Sequence, residues 1–217
     1  MKIEYYRNLP HIQPIGACFF LTFNLRGAMP TDVLERLKEE RQQAIRQSQA
    51  CSGQSEAVHK EQKRYFAKVD RMLDLGLNGN DWLKRPEIAQ IVQNSIHEQD
   101  QQGYELIAYC IMPNHVHLVV DTALQLDKLA NHESVTPVSY KPLSHTLRLL
   151  KGRSARIANL LLQRRGAFWQ PESYDHYVRS SAELQRIIDY VLQNPVKAGL
   201  VDGWKDWPFT YLSERYM

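Results

Sequence analysis

The stretch MPNHVHLVV, residues 112–120, sets His115 and His117 two apart at the head of an apolar, β-prone run. Side chains alternate along a strand, so both imidazoles project from one face and Val116 from the other. Two imidazoles so spaced can share one cation. They can equally be a partly buried pair hydrogen-bonded to neighbours. A catalytic metal also wants at least a third protein group and open positions for substrate. Two other histidine chemistries fail on the residues themselves: a three-histidine alternation breaks at Val119, and no HExxH occurs in the chain.

A second constellation lies in RIIDYVLQNP, residues 186–195. Leu184, Ile187, Ile188 and Val191 mark the core face of a helix. Tyr190 and Asn194, at i and i+4, neighbour each other on the flank of that stripe. Alone, Tyr190 reads as a half-buried packing residue with a wet hydroxyl, and Asn194 as a helix end before Pro195. Taken with the histidines, they suggest chemistry. A phenol, with a pKa of about 10, is a poor nucleophile at neutral pH. A divalent cation that also binds a phosphodiester makes its attack feasible by withdrawing charge and aligning phosphorus. Asn194 then completes a His-His-Asn ligand set beside Tyr190. Mg²⁺ or Mn²⁺ suits such a mixed nitrogen and oxygen set, with Mn²⁺ better matched to imidazole.

These residues need a scaffold, and the chain has the means to build one. Its 217 residues are 43% hydrophobic with four tryptophans, which excludes wholesale disorder. The expectation is one domain, 1–217. No apolar run approaches a membrane span, and the N-terminus lacks the apolar region of a secretory signal. Cys18, Cys51 and Cys110 are far apart with no CxxC spacing, so a reduced, cytoplasmic protein is expected. The net charge of +3 is unremarkable, but its distribution is not. From Ser134 to Pro171 there is no acid, while Lys141, Arg148, Lys151, Arg153, Arg156, Arg164 and Arg165 are all basic. Such a segment is either a solvated helix face or a surface for polyphosphate.

Along the chain, Gly16 to Leu25 reads as a strand. Helices follow over Asp32 to Gln49, Glu56 to Leu75 and, opened by Pro86, as far as about Gln99. Tyr104 to Met112 and His115 to Asp121 form a hairpin around Pro113-Asn114. Leu124 to Pro142 reads as a connection with at most one short helix. Leu143 to Arg165 is a long basic helix interrupted at Gly152. Phe168 to Gln170 and Tyr174 to Arg179 are short β candidates. Ser181 caps a helix from Ala182 to Asn194, stopped by Pro195. This order suggests an α+β sandwich with a mostly antiparallel sheet, ferredoxin-like, with a helical elaboration of about 31–99 after the first strand.

In four blocks the chain resembles the REP-associated tyrosine transposases, within the single-tyrosine HUH endonucleases (histidine, hydrophobe, histidine). The blocks are RNLPHIQPIGACFFLTFNL, AYCIMPNHVHLVV, LLKGRSARIANLLLQRRGAFWQPESYDHYVRS, and LQRIIDYVLQNPVKAGLV with its closing DWPFTYLS. The stretch Arg36 to Gln99 departs from compact members. The resemblance implies a ferredoxin-like fold and metal-dependent cleavage and joining of single-stranded or hairpin DNA, with no nucleotide cofactor and no membrane. It casts His115 and His117 as HUH ligands, Asn194 as the helix-borne third ligand and Tyr190 as a nucleophile forming a 5′-phosphotyrosine link. Arg7, Arg148, Lys151, Arg153 and Arg156 are then candidates for the foot of a DNA hairpin. Tyr174 and Tyr177 compete with Tyr190 but lie in a probable strand without an amide at helical spacing, and Asp175 and His176 read as packing residues. Related enzymes include monomers and homodimers. A domesticated DNA-binding protein without turnover is the alternative, although a binder needs none of the His-His-Tyr-Asn set.

Overall fold

The computed structural model describes residues 2–6, 10–49, 54–76, 79–126 and 140–217. Its centre is a five-stranded sheet in which every pair is antiparallel. In chain order the elements are β1 (Lys2–Tyr6), β2 (Pro10–Pro14), β3 (Cys18–Asn24), α1 (Thr31–Gln49), α2 (Gln54–Asp74), α3 (Pro86–His97), β4 (Glu105–Ile111), β5 (His115–Asp121), α4 (Leu143–Leu161), β6 (Tyr174–Tyr177), α5 (Ser181–Lys197) and β7 (Thr210–Leu212). Across the sheet the strands lie β6-β3-β5-β4-β7, and β1 pairs with β2 as a separate hairpin. Without β7, the unit β3-α3-β4-β5-α4-β6 takes the spatial order 4-1-3-2 of a ferredoxin-like sandwich, so the α+β expectation holds. The hairpin of α1 and α2 is additional to that unit, while α3 packs with α4 in the helix layer.

Strand periodicity divides the core into two faces. On one, Phe19, Leu21 and Phe23 of β3 and Val116, Leu118 and Val120 of β5 bury under Ile88, Val92 and Ile96 of α3 and Leu147 and Leu150 of α4. On the other, Phe20, Val119, Ile107, Ala108 and Cys110 meet Ile188, Val191 and Leu192 of α5. A bulge between Leu106 and Ala108 turns Ile107 and Ala108 to this same face, one more apolar residue than strict alternation allows. His115 and His117 alternate with Val116 and Leu118, so they fall beneath α5, in register with Asn24 and Thr22 of β3.

Four expectations about helix ends need correction. The N-cap of α5 is Ser180, not Ser181: its Oγ accepts from the Glu183 amide at 3.2 Å. Pro195 lies inside α5 rather than ending it. In the last turn a proline forfeits only one backbone bond. The stop is Gly199, at φ +67, where Gly199 N–H donates to Val196 O and Leu200 N–H to Pro195 O. That pair of bonds satisfies the orphan carbonyls, and the left-handed φ is cheap only for glycine. Gly152 does not interrupt α4, because a single interior glycine weakens a helix without breaking it. That helix ends at Leu161 rather than Arg165, with Gln163 turning to φ +49. Residues 127–139 of the expected connection lie outside the described residues.

Two elements went unread. The closing WKDWPFTYL segment contributes β7 at the sheet edge, and the N-terminal residues form the β1–β2 hairpin.

Candidate metal and tyrosine site

His115 and His117 stand on β5 with no exposed surface at all. Their Nε2 atoms converge to 3.1 Å. The backs of the rings explain why. Asn114 commits its amide nitrogen to Leu73 O at 2.8 Å, leaving Oδ1 to accept from His115 Nδ1 at 2.6 Å. The His115 Nε2 lone pair is thereby presented to the site. Thr22 Oγ1 lies 2.8 Å from His117 Nδ1 and fixes the second ring likewise. Such contacts behind an imidazole set its tautomer and orientation for a cation. Burial pushes His115 down to about 3 and His117 well below its ordinary value, so both rings are neutral, as ligands must be.

The remaining donors come from helices. From α2, Asp70 Oδ1 lies 3.4 Å from His117 Nε2, and Asp74 Oδ1 lies 3.8 Å from His115 Nε2. Asp70, His115 and His117 each offer one donor atom within 4.8 Å of the others, a grouping able to hold a metal ion. The other oxygen of Asp70 accepts a hydrogen bond from the Tyr190 hydroxyl. The Tyr190 ring centroid is 5.5 Å from that of His117, and Phe20 packs edge-on to Tyr190 at 6.0 Å. Asn194, one turn further along α5, is 1% exposed. This corrects the reading of a flank: Asn194 belongs to the buried face.

Whether these residues suit a cation can be tested on their own bonding. Asp70 Oδ1, Asp74 Oδ1 and Asn194 Oδ1 are buried with no hydrogen-bond partner. Burial, then the Asp74 charge, raises Asp70 to about 8 although Lys197 pulls it down. Burial raises Asp74 to about 6 against the same lysine. Buried carboxylates are normally paired or bound to metal, and uncompensated ones are costly. Orphaned oxygens beside two neutral imidazoles fit a divalent cation with mixed nitrogen and oxygen ligands.

The competing tyrosines lack these surroundings. Tyr174 is stacked on Phe66, with ring centroids 3.8 Å apart, and burial pushes its phenol far up. Tyr177 packs toward the opposite face of the sheet, under Arg179. Asp175 accepts from Gln13 at 2.7 Å and His176 bonds Glu183 at 3.0 Å, roles that tie strand to neighbour.

The basic candidates are spread along α4. Arg148 and Arg156 are exposed. Arg148 and Lys151 line an open hollow of about 710 Å³ between α4 and the segment Ala167–Ser173. Lys151 spends part of its donors inside, on Gln170 O at 2.8 Å and Ser173 Oγ at 3.0 Å. Arg153 pairs with Glu98 at 2.5 Å. Arg7 lies outside the described residues. No helix among the described residues is long and apolar enough to cross a membrane.

Asp70 and Asp74 were not anticipated. A signal existed: they sit four apart beside the apolar stripe Tyr65-Phe66-Val69-Leu73, which brings both acids to a buried edge of α2.

No family model matches the chain. It is 31% identical over 107 residues to a Haemophilus influenzae protein named as a REP-associated tyrosine transposase, covering 49% of this chain and 58% of that one. A REP-associated tyrosine transposase of Escherichia coli K12 is 40% identical over 42 residues, 19% of this chain and 26% of that protein. The chain thus spans less than two thirds of either relative. A solved structure of a REP-associated tyrosine transposase bound to a REP hairpin has the same fold. It aligns with a TM-score of 0.53 at 17% identity over 96% of this chain and 82% of that one. Relatives and fold point the same way: over these stretches the chain is similar to REP-associated tyrosine transposases.

Proposed function

We propose that this chain nicks and rejoins single-stranded DNA beside a hairpin-forming sequence, with Tyr190 as nucleophile and Mg²⁺ or Mn²⁺ as cofactor. One observation carries the reading. A single carboxylate, Asp70, touches the Tyr190 hydroxyl with one oxygen and lies 3.4 Å from a histidine of the ligand group with the other. A tyrosine kept only for packing needs no such neighbour.

The chain's own residues divide the work. His115, His117 and Asp70 would hold the cation, with Asp74 and Asn194 as further oxygen donors. When bound, the cation withdraws charge from the non-bridging phosphate oxygens and fixes phosphorus for in-line attack. Tyr190 Oη forms the new bond to phosphorus as its proton passes to Asp70, and the bond from phosphorus to the 3′-oxygen breaks, that oxygen taking a proton from water to leave as a 3′-hydroxyl. The 5′-phosphotyrosine keeps the energy of the broken ester, so a 3′-hydroxyl can attack it and reseal the strand without ATP. The Thr22 and Asn114 contacts hold the imidazoles still, and Phe20 limits the swing of the phenol. The exposed arginines of α4, Arg148, Arg153 and Arg156, with Lys151, bind the hairpin backbone, a role proposed for Arg7 as well. In this reading residues 1–217 act as one domain elaborated by α1 and α2, as a monomer or homodimer.

The test is incubation with single-stranded hairpins from the DNA flanking the protein's own gene, with Mn²⁺, Mg²⁺ or EDTA, followed by a denaturing gel. A covalent protein–DNA adduct should form with metal, vanish in Tyr190→Phe and persist in Tyr174→Phe. An adduct that survives Tyr190→Phe refutes the assignment. Tight hairpin binding without an adduct under any divalent ion would favour a DNA-binding protein that no longer turns over.

A further inference from the structure

The site as built has an electrostatic problem. Its carboxylates, Asp70 and Asp74, lie 3.4 and 3.8 Å from the imidazoles of His117 and His115, beside the phenol of Tyr190. One divalent ion offsets those acids but leaves little positive charge for an incoming anion. Among the described residues, one side-chain cation stands over the phenol. Lys197 Nζ lies 4.9 Å from the Tyr190 ring centroid.

Its position follows from the helix. Tyr190, Asn194 and Lys197 step along α5 by four and then three residues, the spacing of one face. Pro195 does not end the helix before Lys197, and the Gly199 turn that does end it keeps Lys197 in the last helical position. Within this row Tyr190 is half-buried, Asn194 buried and Lys197 exposed. The lysine is thus the solvent-exposed member of the row, with its Nζ 4.9 Å from the phenol ring centroid.

We infer that Lys197 is a phosphate-binding residue of the nicking site, donating to a non-bridging oxygen of the phosphodiester that Tyr190 attacks. The inference rests on the nucleophile assigned above. A lysine kept only to balance Asp70 and Asp74 would sit against them. Instead Lys197 forms no ion pair within 4 Å among the described residues. It has three donors to give to an oxyanion and a flexible stem to follow phosphorus through the displacement. No proton need leave it: the charge on nitrogen offsets charge on the equatorial oxygens while the tyrosine oxygen bonds and the 3′-oxygen departs.

The experiment compares Lys197→Gln and Lys197→Arg in the full chain, using a fluorescein-labelled hairpin with a single-stranded extension from the flanking DNA. First, affinity is measured in EDTA over a range of salt. Loss of one phosphate contact lowers the slope of log affinity against log salt by about 0.7 in Lys197→Gln and leaves it unchanged in Lys197→Arg. Second, adduct formation with Mn²⁺ falls roughly 10- to 100-fold in Lys197→Gln, the range for losing one charge-assisted bond, and recovers in Lys197→Arg. A slope unchanged in Lys197→Gln overturns the inference. So does a loss of thermal stability in Lys197→Gln that Lys197→Arg restores, with DNA binding intact in both, because that marks a lysine that only offsets acids. Should the wild type show the lysine-dependent slope yet never form an adduct with any divalent ion, the nicking reading fails while the phosphate contact stands.

Discussion

Asp70 on α2 accepts a hydrogen bond from Tyr190 on α5, although the two residues are 120 apart in sequence. The contact joins an added helix to the helix that carries the phenol, across the sheet face where the histidines stand. It makes α2 part of the site rather than an ornament on the sandwich. The first prediction is that metal affinity depends on α2. Asp70→Asn keeps an acceptor for Tyr190 but removes the charge beside His117, and it should weaken Mn²⁺ binding by at least 10-fold. Calorimetry or the electron-spin signal of free Mn²⁺ gives the number on intact protein. Equal Mn²⁺ affinity in Asp70→Asn and wild type would show that Asp70 serves Tyr190 alone.

A second prediction concerns the contacts behind the rings. Asn114 is 5% exposed and spans Leu73 O and His115 Nδ1, so Asn114→Ala strips the partner from a buried ring nitrogen. An unsatisfied buried group costs about 1–3 kcal/mol, and losing such an outer contact costs a metal site about 10- to 100-fold in affinity. Thermal unfolding in EDTA reads the first effect and Mn²⁺ titration the second. Thr22→Val removes the partner of His117 and should act in the same direction. If both variants bind Mn²⁺ like the wild type, the ring orientations come from packing.

How much of this was legible beforehand depends on the range of the interactions. The β4–β5 hairpin and the shared face of His115 and His117 follow from a period of two, a local property of the chain. The neighbourhood of Tyr190 and Asn194 follows from a helical turn. Asp70 and Asp74 were invisible for the opposite reason. Two acids beside an apolar stripe look like an ordinary solvated margin until the fold lays α2 over β5. Pro195 misled through a sound rule misapplied: a proline stops a helix where several bonds lie ahead of it, but only one turn remained. The glycine at 199, with its left-handed φ, was the better stop signal. The short strand β7 gave no periodic signal, since three residues carry too little pattern.

The N-terminus of α5 yields a pH prediction. Burial pushes the Glu183 carboxyl up, but bonds from the Arg179 amide and the His176 ring, with the charges of His176 and Lys63, outweigh it and leave the group at about 2. A carboxyl whose folded pKa is depressed stabilises above its unfolded pKa, about 4.3, and that stabilisation is lost as pH falls toward about 2. The difference in unfolding free energy between wild type and Glu183→Gln should therefore be full at neutral pH and shrink across that acid window. Urea titrations at a series of pH values decide it. A difference that stays constant down to the lower limit would mean that folding does not depress the Glu183 carboxyl.

The other end of α5 tests whether the helix stop positions the site. Gly199 holds φ +67, and a Cβ added there meets nothing within 4 Å, so any cost of Gly199→Ala is backbone strain rather than collision. A left-handed conformation costs an L-residue about 1–2 kcal/mol. The variant should lose about that much stability if the turn holds. The site adds a sharper expectation, because the Leu200-to-Pro195 and Gly199-to-Val196 bonds fix the last turn that carries Asn194 and Lys197. If the strain is relieved by fraying that turn, Asn194 loosens and Mn²⁺ affinity falls together with stability. If the turn tolerates the strain, stability falls alone. Measuring both in Gly199→Ala, with Gly152→Ala as a control, separates the cases. Gly152 lies inside α4 with open space around its added Cβ, so that replacement should raise stability by about 0.5–1 kcal/mol. A Gly199→Ala protein as stable as the wild type would mean that the chain leaves α5 some other way, and the geometry assigned to Lys197 would lose its support.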